Sequence, residues 1–325
     1  MKVLVTGGAG FIGSHACKAL ARAGHEPVVY DNLSTGHEDA VRWGPLEVGD
    51  IADGERLDEV FRAHQPEAVM HFAALAYVDE SVRDPAAYYQ VNVAGAVSLL
   101  EAMRRHGSEI IVFSSTCATY GVPDTLPIQE STLQNPINPY GFTKLVVERM
   151  LADYERAYGL RWVALRYFNA AGADPDGELG ERHYPETHAI PLAVRAALGL
   201  EPAFQVFGTD YPTADGSAIR DYVHVSDLAD AHARALEYLA DGGANTAYNL
   251  GTGVGTSVLE LVQAVAAATG RRVPLVRTAR RQGDPPVLYA AARRANHDLG
   301  WRPRFVTIDE TVETAARWFM RVHNA

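Results

Sequence analysis

Cysteine is almost missing from this chain: Cys17 and Cys117 are the only two in 325 residues. A disulfide framework is therefore not expected, and a reducing compartment fits. Neither CxxC nor HExxH spacing occurs, so the common zinc motifs are absent. The twelve histidines are dispersed. His183 and His188, five apart, do not share a helix face and read as surface or hydrogen-bonding groups, with no metal expected. Long hydrophobic runs are lacking too, and none approaches the roughly 20 residues that span a bilayer. Before Thr6-Gly7 stand one lysine and a short apolar run, not a signal-peptide core. A cytoplasmic protein is expected. Excess positive charge is also wanting: the net charge of -11 argues against a nucleic-acid partner. It does not exclude an anionic small molecule, because a few local arginines can make one cleft positive. Internal repeats and low-complexity segments are not seen.

What is present is ordinary for a soluble enzyme, with 47% hydrophobic and 21% charged residues. The length allows two lobes. The first half alternates short apolar runs with helical patterns, as βαβ units do. Strands are expected at 2–6, 26–30, 46–48, 68–72, 109–113 and 162–167. Helices are expected at 11–23, 54–64, 86–106 and 140–158. Six parallel strands with covering helices make an α/β doubly wound (Rossmann) sheet over residues 1–168. Beyond Asn169 a turn-rich stretch, 173–181, leads into a smaller C-terminal α/β lobe, 169–325. Its helices are expected at 190–198, 226–239, 258–268 and 307–320, and a segment near 221–250 is expected to return to the first domain.

Two motifs carry chemistry. Gly7-Gly-Ala-Gly10-Phe11-Ile12-Gly13 follows a strand and opens a helix. There the glycines permit a tight turn, close approach to a pyrophosphate and close helix packing. The helix N-terminus turns its N–H groups and dipole toward the phosphates. Asp31 ends the second strand, where a carboxylate bonds the adenosine ribose diol and repels a 2′-phosphate, so NAD is expected over NADP. A second glycine cluster, Gly251-Thr-Gly253-Val-Gly255, lacks the proper offset and reads as a turn. The other motif is Tyr140-Gly-Phe-Thr-Lys144 on a helix, with both side chains on one face. An ammonium beside a phenol favours the phenolate, a proton acceptor for a sugar or alcohol hydroxyl. Strand 109–113 runs into Ser114-Ser115-Thr116, whose hydroxyls fall at the carboxyl end of the sheet, and Thr116 completes a hydroxyl–phenol–ammonium set.

These motifs resemble the extended short-chain dehydrogenase/reductase family over nearly the whole chain, and within it the UDP-glucose 4-epimerases. Further matching segments are Tyr30–Ser34, His71–Ala74, Leu165–Asn169, Val206–Gly216, Arg220–Val225 and Arg280–Pro285. The resemblance implies bound NAD, C4 epimerisation of a UDP-sugar through a 4-keto intermediate, and Tyr140, Lys144 and Thr116 as the catalytic groups. It implies cofactor contacts from Gly7, Gly10, Phe11, Ile12, Gly13, Asp31, Asn32, Asp50 and Ile51. Phe72, Ala73, Ala74, Asn92, Ser114, Tyr140, Lys144 and Tyr167 would complete the cofactor set. The nucleotide sugar would meet Thr116, Tyr140, Asn169, Arg220, Arg281, Asp284 and Leu288, the arginines gripping the diphosphate in forked geometry. A homodimer is also implied, formed by the helices around 86–106 and 140–158 with Val91, Val97, Leu99, Leu100, Val146, Met150, Leu151 and Tyr154.

Departures from the family pattern carry their own expectations. Ala76 stands where a lysine often reaches the cofactor phosphates, which argues against very tight NAD retention. Leu288 stands where an aromatic is common, leaving room for an N-acetyl group and so for UDP-N-acetylhexosamines. UDP-xylose and UDP-arabinose need the same machinery. Dehydration is disfavoured because Cys117-Ala118, not an acidic pair, follows Thr116. A non-catalytic NAD-binding sensor on the same fold would be expected to lose one of Tyr140, Lys144 or the hydroxyl at 116.

Overall fold

The computed structural model describes residues 1–281 and 285–323. Its centre is a fully parallel sheet built from β1 (Lys2–Thr6), β2 (Glu26–Asp31), β3 (Leu46–Val48), β4 (Ala68–His71), β5 (Ile110–Ser114) and β6 (Arg161–Arg166), with a further strand at Thr246–Asn249. The spatial order is β3-β2-β1-β4-β5-β6, closed at the far edge by Thr246–Asn249. Alternation along β1 divides the core between the two faces. Val3 and Val5 point to the side covered by helices Phe11–Arg22 and Val225–Ala240, while Leu4 points to the other. That other side is covered by helices Gly54–His64, Gly95–His106 and Pro139–Tyr158.

The sheet has seven strands where six are expected. Thr246–Asn249, within the segment near 221–250 expected to return to the first domain, runs parallel to β6 as the seventh strand, Thr246 opposite Val163 and Asn249 opposite Arg166. Its four residues are too short and too polar to announce a sheet edge. A second difference lies in the expected helix 86–106. It is broken into Pro85–Tyr88, a π-helical turn Tyr89–Ala94 and Gly95–His106. The wider turn buries Asn92 and sets Gly95 against Ile51, whose Cγ2 would lie 2.5 Å from any Cβ there. π-turns of this kind gather at functional sites.

The remaining elements form short ladders. Asn169–Ala171 pairs with Tyr222–His224, and Phe204–Phe207 with Leu275–Thr278. Ile219–Arg220 lies between Thr256–Ser257 and Val287–Leu288. Helices Ala189–Leu198, Val258–Thr269 and Ile308–Val322 pack with them around a separate apolar core that includes Val194, Val206, Leu261 and Phe319. No helix among the described residues is long and apolar enough to cross a membrane. Both cysteines are free and buried.

Candidate active site

The sheet order reverses direction between β1 and β4, and clefts form at the carboxyl ends of strands on either side of such a point. The glycine loop sits there. Gly7 has φ +72°, and a Cβ on it would stand 2.6 Å from the Ala73 nitrogen. Gly13 tolerates a side chain no better, since its Cβ would meet the Gly7 carbonyl oxygen at 2.2 Å. The crowding has a source: both Phe72 and Ala73 donate their N–H groups to the Thr6 carbonyl, at 2.9 and 3.0 Å. Gly10 opens helix Phe11–Arg22 without a side-chain cap, leaving that helix end to a ligand.

Asp31 is buried at the end of β2, where it accepts N–H groups from Ala9 at 3.0 Å and Leu33 at 2.8 Å. Burial raises its pKa, while those two backbone donors hold it back. Asn32 donates to Asp50 at 2.8 Å, and Tyr30 donates to the Asp50 carbonyl at 2.7 Å, which fixes the loop carrying Ile51. Together, a glycine cradle without room for a Cβ, an uncapped helix N-terminus and a carboxylate ending β2 fit a dinucleotide with a free ribose diol. Asn92 takes a supporting place. Its amide hydrogens go to the Leu75 carbonyl at 2.9 Å and to Thr143 at 3.1 Å, and its oxygen accepts from the Leu75 N–H. Ala76 lies exposed on the same loop.

Tyr140 and Lys144 stand in the first two turns of helix Pro139–Tyr158. Asn138 caps it by accepting from Gly141 N–H at 2.8 Å, and Pro139 occupies the first turn. Gly141 is required there, because a Cβ would come within 2.6 Å of the Ala118 carbonyl. Thr116 caps the short turn Cys117–Tyr120 through the Ala118 N–H at 3.1 Å. So the helix carrying Tyr140 and Lys144 and the hydroxyl turn are wedged against each other.

The electrostatics differ from the sequence expectation. Burial pushes the Tyr140 phenol up to about 12, partly offset by its hydrogen bond with Thr116. Lys144 lends its ammonium elsewhere: Nζ donates to the Ser114 carbonyl at 2.9 Å and lies 4.9 Å from the centre of the Phe113 ring. Burial pulls that amine down to about 7, against the pull of Glu148. The Lys144 charge is thus not what sets the phenol. Ser114 and Tyr167 share a 2.5 Å hydroxyl hydrogen bond beside them.

On the other wall, Asn169 donates to the Asp221 carbonyl at 3.2 Å, and Arg220 lies on the strand beside it. Leu288 faces Arg220 across the ladder and packs on the cluster of Cys117, Tyr120, Ile128 and Ala290. Arg281 spreads its guanidinium over the Phe207 ring at 4.0 Å. Asp284 lies outside the described residues. The turn Gly251–Gly255 serves Asp221: Thr252 donates both its N–H (3.0 Å) and its hydroxyl (2.8 Å) to that buried carboxylate.

Sequence reasoning overlooked one buried network. Glu148, one turn beyond Lys144, accepts Nε and Nη2 of Arg166 at 2.9 and 2.5 Å, Ser115 at 2.5 Å and Gln134 at 3.0 Å. Arg166 continues to Tyr120 at 2.7 Å, and Tyr120 donates to Asn249 at 2.7 Å. A charged residue inside an otherwise apolar strand, and a glutamate four residues after the lysine, were the available signals.

Comparison with known proteins agrees with this geometry. Residues 3–251 match the model of the NAD dependent epimerase/dehydratase family. The UDP-glucose 4-epimerase of Rhizobium meliloti (strain 1021) is 55% identical over 98% of this chain and 97% of its own length. A crystal structure of UDP-glucose 4-epimerase from Brucella ovis in complex with NAD superposes with a TM-score of 0.96 at 59% identity, covering 98% of each chain. The Bifidobacterium longum UDP-glucose 4-epimerase in complex with NAD+ and UDP gives a TM-score of 0.95 at 37% identity, over 100% of this chain and 99% of the other.

Proposed function

We infer the activity from kinship and geometry together: the chain belongs to the NAD dependent epimerase/dehydratase family, and it is a UDP-glucose 4-epimerase, an NAD-dependent isomerase. The observation that carries this reading is the Thr116–Tyr140 pair, set beside a glycine cradle that fits a dinucleotide. Held in that cradle by Gly7, Gly10, Gly13 and Asp31, NAD would supply a reversible hydride acceptor for C4 of the sugar.

The chain's own residues do the rest. Tyr140 accepts the proton of the sugar 4-hydroxyl and gives it back. Thr116 is the hydroxyl that steadies the phenolate, its hydrogen bond working against the burial that raises the Tyr140 phenol. Lys144, anchored on the Ser114 carbonyl, positions the floor of the site. Gly7, Gly10, Phe11, Ile12 and Gly13 hold the pyrophosphate, Asp31 and Asn32 the ribose, and Asp50 and Ile51 flank adenine. Asn169, Arg220 and Arg281 grip UDP, with residues 1–168 serving the cofactor and 169–325 the nucleotide sugar. Cys117, buried with its thiol pushed up by that burial, offers no acid or base for elimination.

We assign the enzyme to the cytoplasm and to galactose metabolism, acting as a homodimer. Tyr89, Val97, Phe142 and Tyr158 are exposed on the helical segments expected to pair. Leu99, Leu100 and Leu151, also expected there, lie instead in the chain's own core. A second substrate class, UDP-N-acetylhexosamines, is supported by the aliphatic Leu288 in the wall opposite Arg220. The test is NMR of the protein with UDP-galactose, UDP-N-acetylgalactosamine or UDP-xylose, first without and then with added NAD. The C4 epimer of UDP-galactose is expected. Activity that needs added NAD would mark weak retention at Ala76, and no product in any tube would overturn the assignment.

A further inference from the structure

Two groups of acidic and histidine side chains converge away from the reacting residues. The first, Asp174, Asp176 and Glu178, already encloses a cation, since Lys18 Nζ lies 2.6, 2.8 and 2.6 Å from their oxygens. The second is Glu181, His183, Glu186 and His188, on the loop leading into helix Ala189–Leu198, where both glutamates face the two histidines. The nearest basic residue in sequence, Arg182, turns away to Asp39 at 2.7 and 3.0 Å.

We propose that these four side chains form a binding site for one divalent transition-metal ion, zinc by donor type. Their ligand atoms all lie within 4.8 Å of one another. His188 Nδ1 is 2.7 Å from Glu181 Oε1 and 3.3 Å from Glu186 Oε1. His183 Nδ1 is 3.2 Å from Glu181 Oε1 and 3.9 Å from Glu186 Oε2. Four ligands at zinc's bond lengths stand about 3.4 Å apart at the corners of a tetrahedron, in the middle of that range.

The second observation is alignment. The Glu181 carboxylate is only 3% exposed, yet its Oε1 has no properly aligned hydrogen-bond donor, and neither Nδ1 atom makes a hydrogen bond. Close approach of polar atoms without hydrogen-bond geometry is what lone pairs aimed at one point produce. Imidazoles must shed their protons to ligate a metal, and the two carboxylates then carry two negative charges, which a divalent ion balances. Imidazole and carboxylate together suit zinc. The sequence reading sets His183 and His188 aside on helical spacing, which has no meaning in a loop, and it does not single out Glu181 or Glu186.

The site sits where the loop meets the cofactor-binding half. The His183 ring lies edge-on to Phe11 at 6.5 Å, and Tyr77 stands 6.2 and 6.1 Å from the His183 and His188 rings. An ion there ties the start of helix Ala189–Leu198 to the glycine-loop helix.

The experiment uses the full chain without an affinity tag, stripped with a chelator and dialysed against ZnCl2. Elemental analysis should find about one zinc per chain, and zinc should raise the thermal midpoint of the stripped protein. Cobalt chloride in place of zinc should give the visible absorption of four-coordinate cobalt. The His183→Ala/His188→Ala variant should bind zinc at least about 100-fold more weakly. Less than about one-tenth of an equivalent of zinc in the wild-type chain, with no shift in midpoint, would overturn the proposal. In that case the cluster is a proton-bridged ion pair, in which burial lowers His188 but the Glu181 and Glu186 carboxylates raise it to about 10.

Discussion

Replacing Glu148 by methionine leaves the Arg166 guanidinium inside the protein with its main partner gone. Their side chains are 5% and 8% exposed, so water cannot take over. Breaking a buried pair on one side destabilises by about 3–5 kcal/mol, because the remaining charge is uncompensated. Ser115 and Gln134 lose their acceptor as well, adding about 1 kcal/mol each. The sum, about 5–7 kcal/mol, is a large part of the roughly 5–15 kcal/mol that folded proteins possess. Arg166→Met in the same chain removes the orphaned charge, so the double variant should be more stable than Glu148→Met alone. Urea unfolding followed by tryptophan fluorescence, run as a double-mutant cycle, reads both numbers. A loss under about 1 kcal/mol for Glu148→Met, or simple additivity in the cycle, would refute the buried-charge argument.

Tyr140→Phe should lower kcat on UDP-galactose by about 10²–10⁴-fold while leaving UDP-sugar binding within a few-fold, measured by turnover and calorimetry. Gly7→Ala should abolish NAD retention, read as cofactor released from purified protein, because its Cβ would meet the Ala73 backbone at 2.6 Å and φ is +72°. Burial lowers the buried His71, His224 and His232 to about 3, 3 and 4. Their folded values are depressed, so their contribution is complete above the ordinary value near 6.5 and is lost as pH falls toward 4. The urea midpoint should fall steadily over that window, and a flat midpoint between pH 6.5 and 4.5 would contradict it.

Much of the fold was legible because periodicity is local. β1 to β6 are each close to their expected bounds, and Gly7–Gly13 announces both a strand end and a helix start. Tyr140 and Lys144 declare themselves as a pair by spacing on one helix. Their electrostatics did not, since burial and the Ser114 carbonyl, supplied by a different element, decide where the Lys144 charge goes. Glu148–Arg166 and Asp221–Thr252 escaped for a similar reason. Each pairing joins residues distant in sequence, and neither type at its position singles out a partner. The segment near 221–250 is expected to return to the first domain, but Thr246–Asn249 is not read as a strand of its sheet, because four mixed residues carry too little pattern to name a neighbour.

That edge strand makes the enzyme indivisible. Asn249, which ends it, accepts the Tyr120 hydroxyl and donates to the Ile128 carbonyl. The polypeptide must travel through residues 169–245 and return before the wall behind Thr116 is finished. A fragment stopping at residue 168 would keep every glycine of the cradle and both Tyr140 and Lys144. It would still lack one border of its own sheet and the amide oxygen that holds the Tyr120 hydroxyl.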